Sequence, residues 1–590
     1  MPDANSPNQT SPSDWTEQPA GDIADAVVGA MTAGGVDHLF FTSGSEIGFY
    51  QEATSKAKAQ GRKTLNLITV PLEHVSLNAA LGFAAVTGRP AATAAHVDCG
   101  TQHYGGAVHT AWRSGLPVIM TAGAPPTAYP GSIRGARNGA HLWSQQQWDQ
   151  NSIVRQYVKW DKRLEYQDNP GLMVSRAIQV ATSEPAGPVY MSFPQEIALL
   201  PLNGTRYPTA AQLGVARPAA PDPEGIKEIV DHLLKAKNPM VVSIASGRND
   251  KTVPVLTELC ELAGLPVVAS GHGGYLAIPM THPLYQRSGM LLREADMVIT
   301  FESEVPWLPG MNEPPASAYI AAVDHDPIRG RIPNYDFSAN NRITADPLLG
   351  MKAIIAELKS RMTDADKKNA ADRKERWAKH SKEAWAKLEA DAKSRATKTP
   401  IDPIWVSYQL GQVLDDNCVV FDETLATPRL RDFLHITKPR SYFKQNGSSG
   451  GWTPGAALGA KFGAPDRDII SCCGDGFYMF GTPGPALWAA AHYKKPFMSV
   501  VYVNRSYSTG TLAVSDKYPD SFAQKAGYPG GYFDPPIDFA KEAEACGAYG
   551  ENVRDPAEVG PALKRGLNEI RNNKRPAVIA VWLPRLGQKD

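Results

Sequence analysis

From about Asp22 onward, short apolar runs alternate with longer stretches of helical periodicity, and the alternation falls into three blocks. The first block has apolar runs at 37–43, 64–70, 90–96, 117–123 and 187–193. Strands buried on both faces read as continuous apolar runs, so this pattern predicts a parallel sheet covered by helices. Residues 204–222 are rich in Pro and Ala and poor in periodic apolar positions, as expected of a connection. A second block follows, with runs at 239–245, 265–270, 295–301 and 317–327. Residues 362–399 then form a charged helical connection with a few Trp and Leu. The third block has runs at 417–423, 468–473, 497–503 and 576–582. The expected architecture is α/β, with three doubly wound parallel-sheet domains. The division is a disordered tail over 1–19, a first domain over 20–203, a central domain over 223–361 and a last domain over 400–590.

Composition narrows the partners. The 590 residues exceed what one core organises, and 43% hydrophobic with 20% charged residues is ordinary for a globular protein. Lys plus Arg equals Asp plus Glu at 60 each, so nothing in the charge favours nucleic acid or an anionic membrane, and a small-molecule substrate is expected. The six cysteines include no CxxC pair, which argues against zinc and against a disulfide framework. The polar start lacks a basic, then apolar, leader pattern, and no window is apolar for long enough to span a bilayer. A soluble, cytoplasmic protein is therefore expected.

The most informative segment is 468–507. An apolar strand ends in Gly474-Asp475-Gly476, a helical stretch follows, and a second apolar strand ends at Asn504. A right-handed βαβ unit brings both strand ends to the edge where α/β proteins bind ligands. Asp475, Asn504 and a backbone carbonyl near Ser506, completed by phosphate oxygens, would form the hard octahedral shell Mg²⁺ prefers. Gly474 and Gly476 allow phosphate to approach the backbone.

This segment resembles the thiamine-diphosphate (ThDP) fingerprint of acetolactate synthases, benzoylformate decarboxylases and their relatives. The resemblance implies a pyrimidine-binding, a central and a diphosphate-binding domain, in that order. It also implies ThDP and Mg²⁺ as cofactors. In such enzymes a carboxylic acid protonates the aminopyrimidine so that the thiazolium carbon can be deprotonated, and the segment TVPLEHVSLNAALGFAAVTGRP places Glu73 at that position. Ser45 and His96, at two further strand ends, resemble the benzoylformate decarboxylase pair that handles the substrate carboxylate and proton transfers. His74 and His103 are neighbouring candidates. Thr424 lies where the diphosphate pocket begins, Ser448 and Ser449 lie in the glycine-rich approach to it, and Phe477 joins Gly474 and Gly476 as a cofactor contact.

The sequence departs from the pattern in three places, one of them two extra residues after Gly476 within FYMFGTPGP. The segment ESEVPWLPGMNEP has no His where benzoylformate decarboxylases bring one from the central domain, and Glu304 and Trp307 are the residues present there. Gly450 stands where the family places a bulky aliphatic support for the cofactor. No GxGxxG follows a strand, so FAD is not expected. The resemblance implies active sites shared between subunits, with a homodimer as minimum and a homotetramer as the expected assembly. The leading expectation is carbon–carbon bond cleavage on a carbonyl substrate, of the 2-oxo acid decarboxylase or lyase type. The alternatives are an acetolactate synthase-like carboligase or acyltransferase and, from another class, a non-catalytic ThDP-binding subunit.

Overall fold

A computed structural model of the chain describes residues 15–270, 274–425, 428–445 and 447–585. It is built on three sheets dominated by parallel strands. The first comprises β1 (His38–Phe41), β2 (Asn66–Thr69), β3 (Ala91–Ala95), β4 (Val118–Ala124), β5 (Asp161–Arg163) and β6 (Val189–Pro194), in the spatial order β2-β1-β3-β4-β6-β5. The second comprises β7 (Pro239–Ser243), β8 (Val267–Val268), β9 (Tyr285–Gln286), β10 (Met297–Phe301), β11 (Tyr319–Asp324) and β12 (Asn341–Thr344), ordered β9-β8-β7-β10-β11-β12. The third comprises β13 (Cys418–Glu423), β14 (Tyr442–Lys444), β15 (Asp468–Gly474), β16 (Met498–Val503), β17 (Tyr549–Val553) and β18 (Ala577–Trp582), ordered β14-β13-β15-β16-β18-β17. The pair Gly274–Tyr275 from the central segment adds antiparallel to β14.

Four helices matter for the site: α1 (Glu73–Thr87), α2 (Asp98–His103), α4 (Thr453–Gly463) and α5 (Asp475–Phe480). The charged connection folds as one long helix, α3 (Asp364–Ser394). Most of α3 is solvated, and its buried positions, Ala370, Trp377, Leu388 and Ala392, form the stripe that holds it to the body. Its Arg373 also donates to the carbonyls of Ala263 and Ala236. Among the described residues no helix is long and apolar enough to cross a membrane.

Two expectations need correction at the boundaries. Thr16–Gln18, placed in the tail, is a strand that pairs antiparallel with Thr205–Tyr207, which had been assigned to the connection. The ribbon is held by its backbone ladder, by the buried side chains of Gln18 and Tyr207, and by Arg206 lying over the Trp15 ring at 5.9 Å. Residues 1–14 lie outside the described residues.

The first and third blocks share a single apolar core in which Val75, Leu77 and Ala80 of α1 join Ala456, Ala457 and Ala460 of α4. Glycines set this approach. A Cβ added at Gly82 would lie 1.9 Å from the Ala456 carbonyl oxygen, and one at Gly459 would lie 1.7 Å from that of Ala79. Only backbone without side chains lets the two helices cross this closely.

Candidate functional site

Ser45, Glu73 and His96 leave the carboxyl ends of β1, β2 and β3, three adjacent strands of one parallel sheet. Glu73 opens α1, where a carboxylate is favoured by the helix dipole. It is buried, and burial pushes its carboxyl above the ordinary range. Gly100 in α2 makes room for it: a Cβ there would lie 2.7 Å from Glu73 Oε1 and 3.3 Å from the His96 Cβ, so Glu73 and His96 meet over the same glycine. His103 Nδ1 lies 3.5 Å from Glu73 Oε2. The Nε2 of His74 lies 3.3 Å from the Gly451 carbonyl oxygen, and burial lowers its pKa.

The Oγ of Ser45 lies 3.4 Å from His96 Nε2. Between them stands a residue that the sequence did not single out. Glu46, fully buried, accepts the Ser45 hydroxyl at 2.8 Å on Oε2 and meets His96 Nε2 through the same oxygen. The hydrogen bond to Glu46 raises the His96 pKa above its ordinary value.

In the third sheet, Gly474 of β15 pairs with Tyr502 of β16, so Asp475 and Asn504 emerge from adjacent strand ends. Asp475 accepts the Arg505 N–H at 2.5 Å and the Gly476 N–H at 2.9 Å, and burial pushes its carboxyl up to about 6. Arg505, whose N–H reaches Asp475, takes a left-handed φ of 59°. That conformation costs a non-glycine residue about 1–2 kcal/mol. Asn504 Oδ1 accepts the N–H and the hydroxyl of Ser506 at 2.9 and 3.0 Å. A Cβ at Gly474 would meet nothing within 4 Å, and one at Gly476 nothing closer than 3.5 Å, so both glycines leave open space beside the backbone. A buried carboxylate and a carboxamide oxygen on one edge, with open glycine backbone between them, fit a divalent cation bound to phosphate oxygens.

The remaining candidates have different surroundings. The hydroxyl of Thr424 donates to Asp422 Oδ1 at 2.7 Å, so it is already engaged. Ser448 is exposed, and Ser449 Oγ packs where a Cβ at Gly106 would be, at 1.9 Å. Glu423, between Asp422 and Thr424, was not anticipated. It accepts from the N–H groups of Gly451, Trp452 and Thr453 at 2.7, 3.3 and 3.3 Å and from the Thr453 hydroxyl at 3.0 Å. Burial pushes this carboxyl up to about 7. The fact that α4 begins at Thr453 is the one sequence signal that could have found it, since the start of a helix leaves N–H groups in need of an acceptor. The gap at Gly450 is filled by Phe477, whose Cδ1 lies 2.5 Å from where a Cβ at 450 would be. Glu304 is bound to Arg113 at 2.7 Å, and Trp307 is buried edge-on to Phe337 at 5.8 Å.

Residues 21–153 match the family model of the thiamine pyrophosphate enzyme N-terminal TPP binding domain, and residues 426–581 match that of the C-terminal TPP binding domain. The two matches cover the sheets that carry Glu73 and Asp475. The chain belongs to the thiamine-diphosphate-dependent enzymes. Within this family it is 25% identical to benzoylformate decarboxylase of Pseudomonas aeruginosa over 522 residues, covering 85% of this chain and 88% of that one. It is 24% identical to a probable acetolactate synthase large subunit of Methanococcus aeolicus, covering 92% and 90%. The fold matches that of a thiamine diphosphate-dependent 4-hydroxybenzoylformate decarboxylase from Rhodococcus jostii, with a TM-score of 0.75 at 19% identity, over 96% of this chain and all of the other.

Proposed function

We propose that this enzyme uses thiamine diphosphate and Mg²⁺ to cleave a carbon–carbon bond beside a carbonyl group, as a 2-oxo acid decarboxylase or lyase. The observation that carries the reading is the convergence of Ser45, Glu73 and His96 on three adjacent strand ends, with Ser45 Oγ 3.4 Å from His96 Nε2. Asp475, Asn504 and the backbone at Ser506 would hold the metal, and Gly474 and Gly476 would admit the diphosphate. When bound, the coenzyme supplies a nucleophilic carbon and an electron sink for the bond that breaks. Glu73, with its carboxyl raised by burial, holds and gives the proton the aminopyrimidine needs. Ser45 offers a hydroxyl to the substrate's carboxylate or carbonyl oxygen, and His96 donates a proton at the reacting centre. The ring of Phe477 takes the supporting place left open at Gly450.

A second reading, carboligation or acyl transfer of the acetolactate synthase type, is favoured by the segment after β10. It carries no His, and its Glu304 is committed to Arg113. Active sites shared between subunits of a homodimer or homotetramer accord with the aromatic side chains one chain leaves uncovered, among them Trp148, Tyr129 and Phe522.

The test is turnover of a panel of 2-oxo acids, aliphatic and aromatic, with ThDP and Mg²⁺, measuring CO₂ release and products with and without a second aldehyde. CO₂ release with aldehyde formation supports the decarboxylase reading, and condensation products alone support the second. A Glu73→Gln variant is expected to bind ThDP and lose turnover by at least about a hundredfold. Full activity in that variant would remove the assignment.

A further inference from the structure

Glu46 is a fully enclosed carboxylate near the site, and it gathers side chains from distant parts of the chain. It lies in the single helical turn Ser45–Ile47 after β1, with none of its side chain exposed. Oε2 receives the Ser45 hydroxyl at 2.8 Å and faces His96 Nε2, while Oε1 receives Gln145 Nε2 at 2.5 Å. Two glycines make this fit possible. A Cβ at Gly44 would lie 2.3 Å from His96 Cδ2, so the imidazole rests directly on the Gly44 backbone. A Cβ at Gly123 would lie 3.0 Å from the Glu46 Cβ and 2.5 Å from the His96 carbonyl oxygen. No described residue hydrogen-bonds His96 Nδ1.

We propose that Glu46 is the positioning residue of the site: it binds His96 through Nε2–H, leaves Nδ1 as the nitrogen that meets substrate, and holds the Ser45 hydroxyl as a donor to itself. The contacts carry the positioning, and its part in turnover rests on the reading of His96 given above. Two consequences follow. Ser45 is a binding group: Glu46 Oε2 holds its hydroxyl at 2.8 Å, ready to turn that donor to the substrate's carboxylate or carbonyl oxygen. Glu46 favours the protonated form of His96. The carboxylates facing it are Glu46 from the Ser45–Ile47 turn, Glu73 from α1 and Asp98 from α2; Gln145 contributes no charge, and burial is the one opposing effect. When His96 gives its Nδ1 proton to substrate, the Nε2–H to Glu46 persists, so the neutral imidazole stays in one tautomer and is reprotonated at Nδ1 from water.

The experiment uses the full-length enzyme loaded with ThDP and Mg²⁺, with ¹³C-labelled histidine, and follows the His96 resonance, assigned by its loss in His96→Asn. In Glu46→Gln the His96 titration is expected to move to lower pH, and in Glu46→Asp to recover most of the way. The basic limb of the kcat profile should move in the same direction, with kcat at pH 8 falling at least about tenfold and KM changing little. An unchanged titration and an unchanged pH profile in a folded Glu46→Gln protein would overturn the proposal. Should Glu46→Gln fail to fold, Gly44→Ala tests the same geometry with the charge in place. Its Cβ displaces the imidazole from Glu46, so the His96 titration must fall there too, and a wild-type titration in Gly44→Ala also overturns the proposal. If the titration shifts as expected but His96→Asn keeps full activity, the role of His96 in turnover is removed while its placement by Glu46 stands.

Discussion

Replacing Gly459 with alanine adds a single methyl group at the α1–α4 crossing, and the structure fixes where that group goes. The new Cβ would lie 1.7 Å from the Ala79 carbonyl oxygen and 2.4 Å from its carbon, whereas ordinary contact begins at 3.4 Å, so the helices must separate by about 1.7 Å. The atom struck is backbone inside a helix, which no rotamer change can move. A Cβ added at Gly455, one turn earlier, would lie 2.7 Å from the Asn78 Cβ, so α4 has little room to slide aside. Overpacking of this kind costs about 1–3 kcal/mol, and a rigid neighbour puts it near the upper end. The helix-propensity gain of alanine over glycine returns about 1 kcal/mol, leaving a net loss of about 2 kcal/mol. For a domain of this size that is a fall of roughly 4–8 °C in melting midpoint. The functional loss should be larger than the stability loss suggests, because the same crossing sets His74, next to Glu73, against the Gly451 carbonyl. The control is Gly510→Ala, in the helix Ser508–Lys517, where a Cβ would meet nothing within 4 Å. It should gain up to about 1 kcal/mol. Calorimetric scans at one fixed rate, with ThDP binding measured alongside, decide the matter. If Gly459→Ala melts at or above the wild-type midpoint, glycine is not what sets the crossing.

Two further predictions concern the third block. The Asp475 carboxyl is raised to about 6 by burial, from an ordinary 3.8, so in the metal-free protein its ionisation opposes folding. That cost is absent below pH 4, grows as pH rises to about 6 and reaches about 3 kcal/mol above it. Asp475→Asn should therefore raise the metal-free melting midpoint at pH 8, and Mg²⁺ with ThDP should no longer raise it further; a variant still stabilised by Mg²⁺ and ThDP would exclude Asp475 as a ligand. For the support at Gly450, Phe477→Ala and Gly450→Leu should each weaken ThDP binding about tenfold, while the double variant recovers most of the loss. Titration calorimetry showing additive losses would separate the two positions.

The main strands were legible because they are buried on both faces and read as unbroken apolar runs, as in Val118–Ala124 and Ala577–Trp582. The strands that escaped are edges or pieces of two or three residues. Asp161–Arg163, Asn341–Thr344 and Tyr549–Val553 are half-buried and carry polar or charged side chains, so no period-2 or apolar signal marks them. Ser45, Glu73 and His96 could be nominated because each follows an apolar run in a segment that resembles the family's, and the parallel sheet brings adjacent strand ends together. Glu46 could not, because its meaning lies in contacts 50 and 99 positions away, with His96 and Gln145. Phe477 and Gly450 were each noticed, but nothing in a linear reading pairs a ring with a missing side chain 27 positions earlier.

The central block explains why the expected histidine has no substitute there. Its strand ends are tied into ion pairs with the first block: Arg248 bridges Glu184 and Glu302 at 2.7 Å to each, and Glu304 holds Arg113. His325, at the end of β11, faces the same two glutamates at 3.9 and 4.0 Å. A buried ion pair loses several kcal/mol when one partner is removed, so these side chains are committed to joining the two blocks and are not free to serve a substrate. The imidazoles around Glu73 are instead His74, His96 and His103, all from the first block's own strand ends and helices. On the proposed reading, proton transfer falls to this one sheet edge, where Glu46 meets His96 and Ser45.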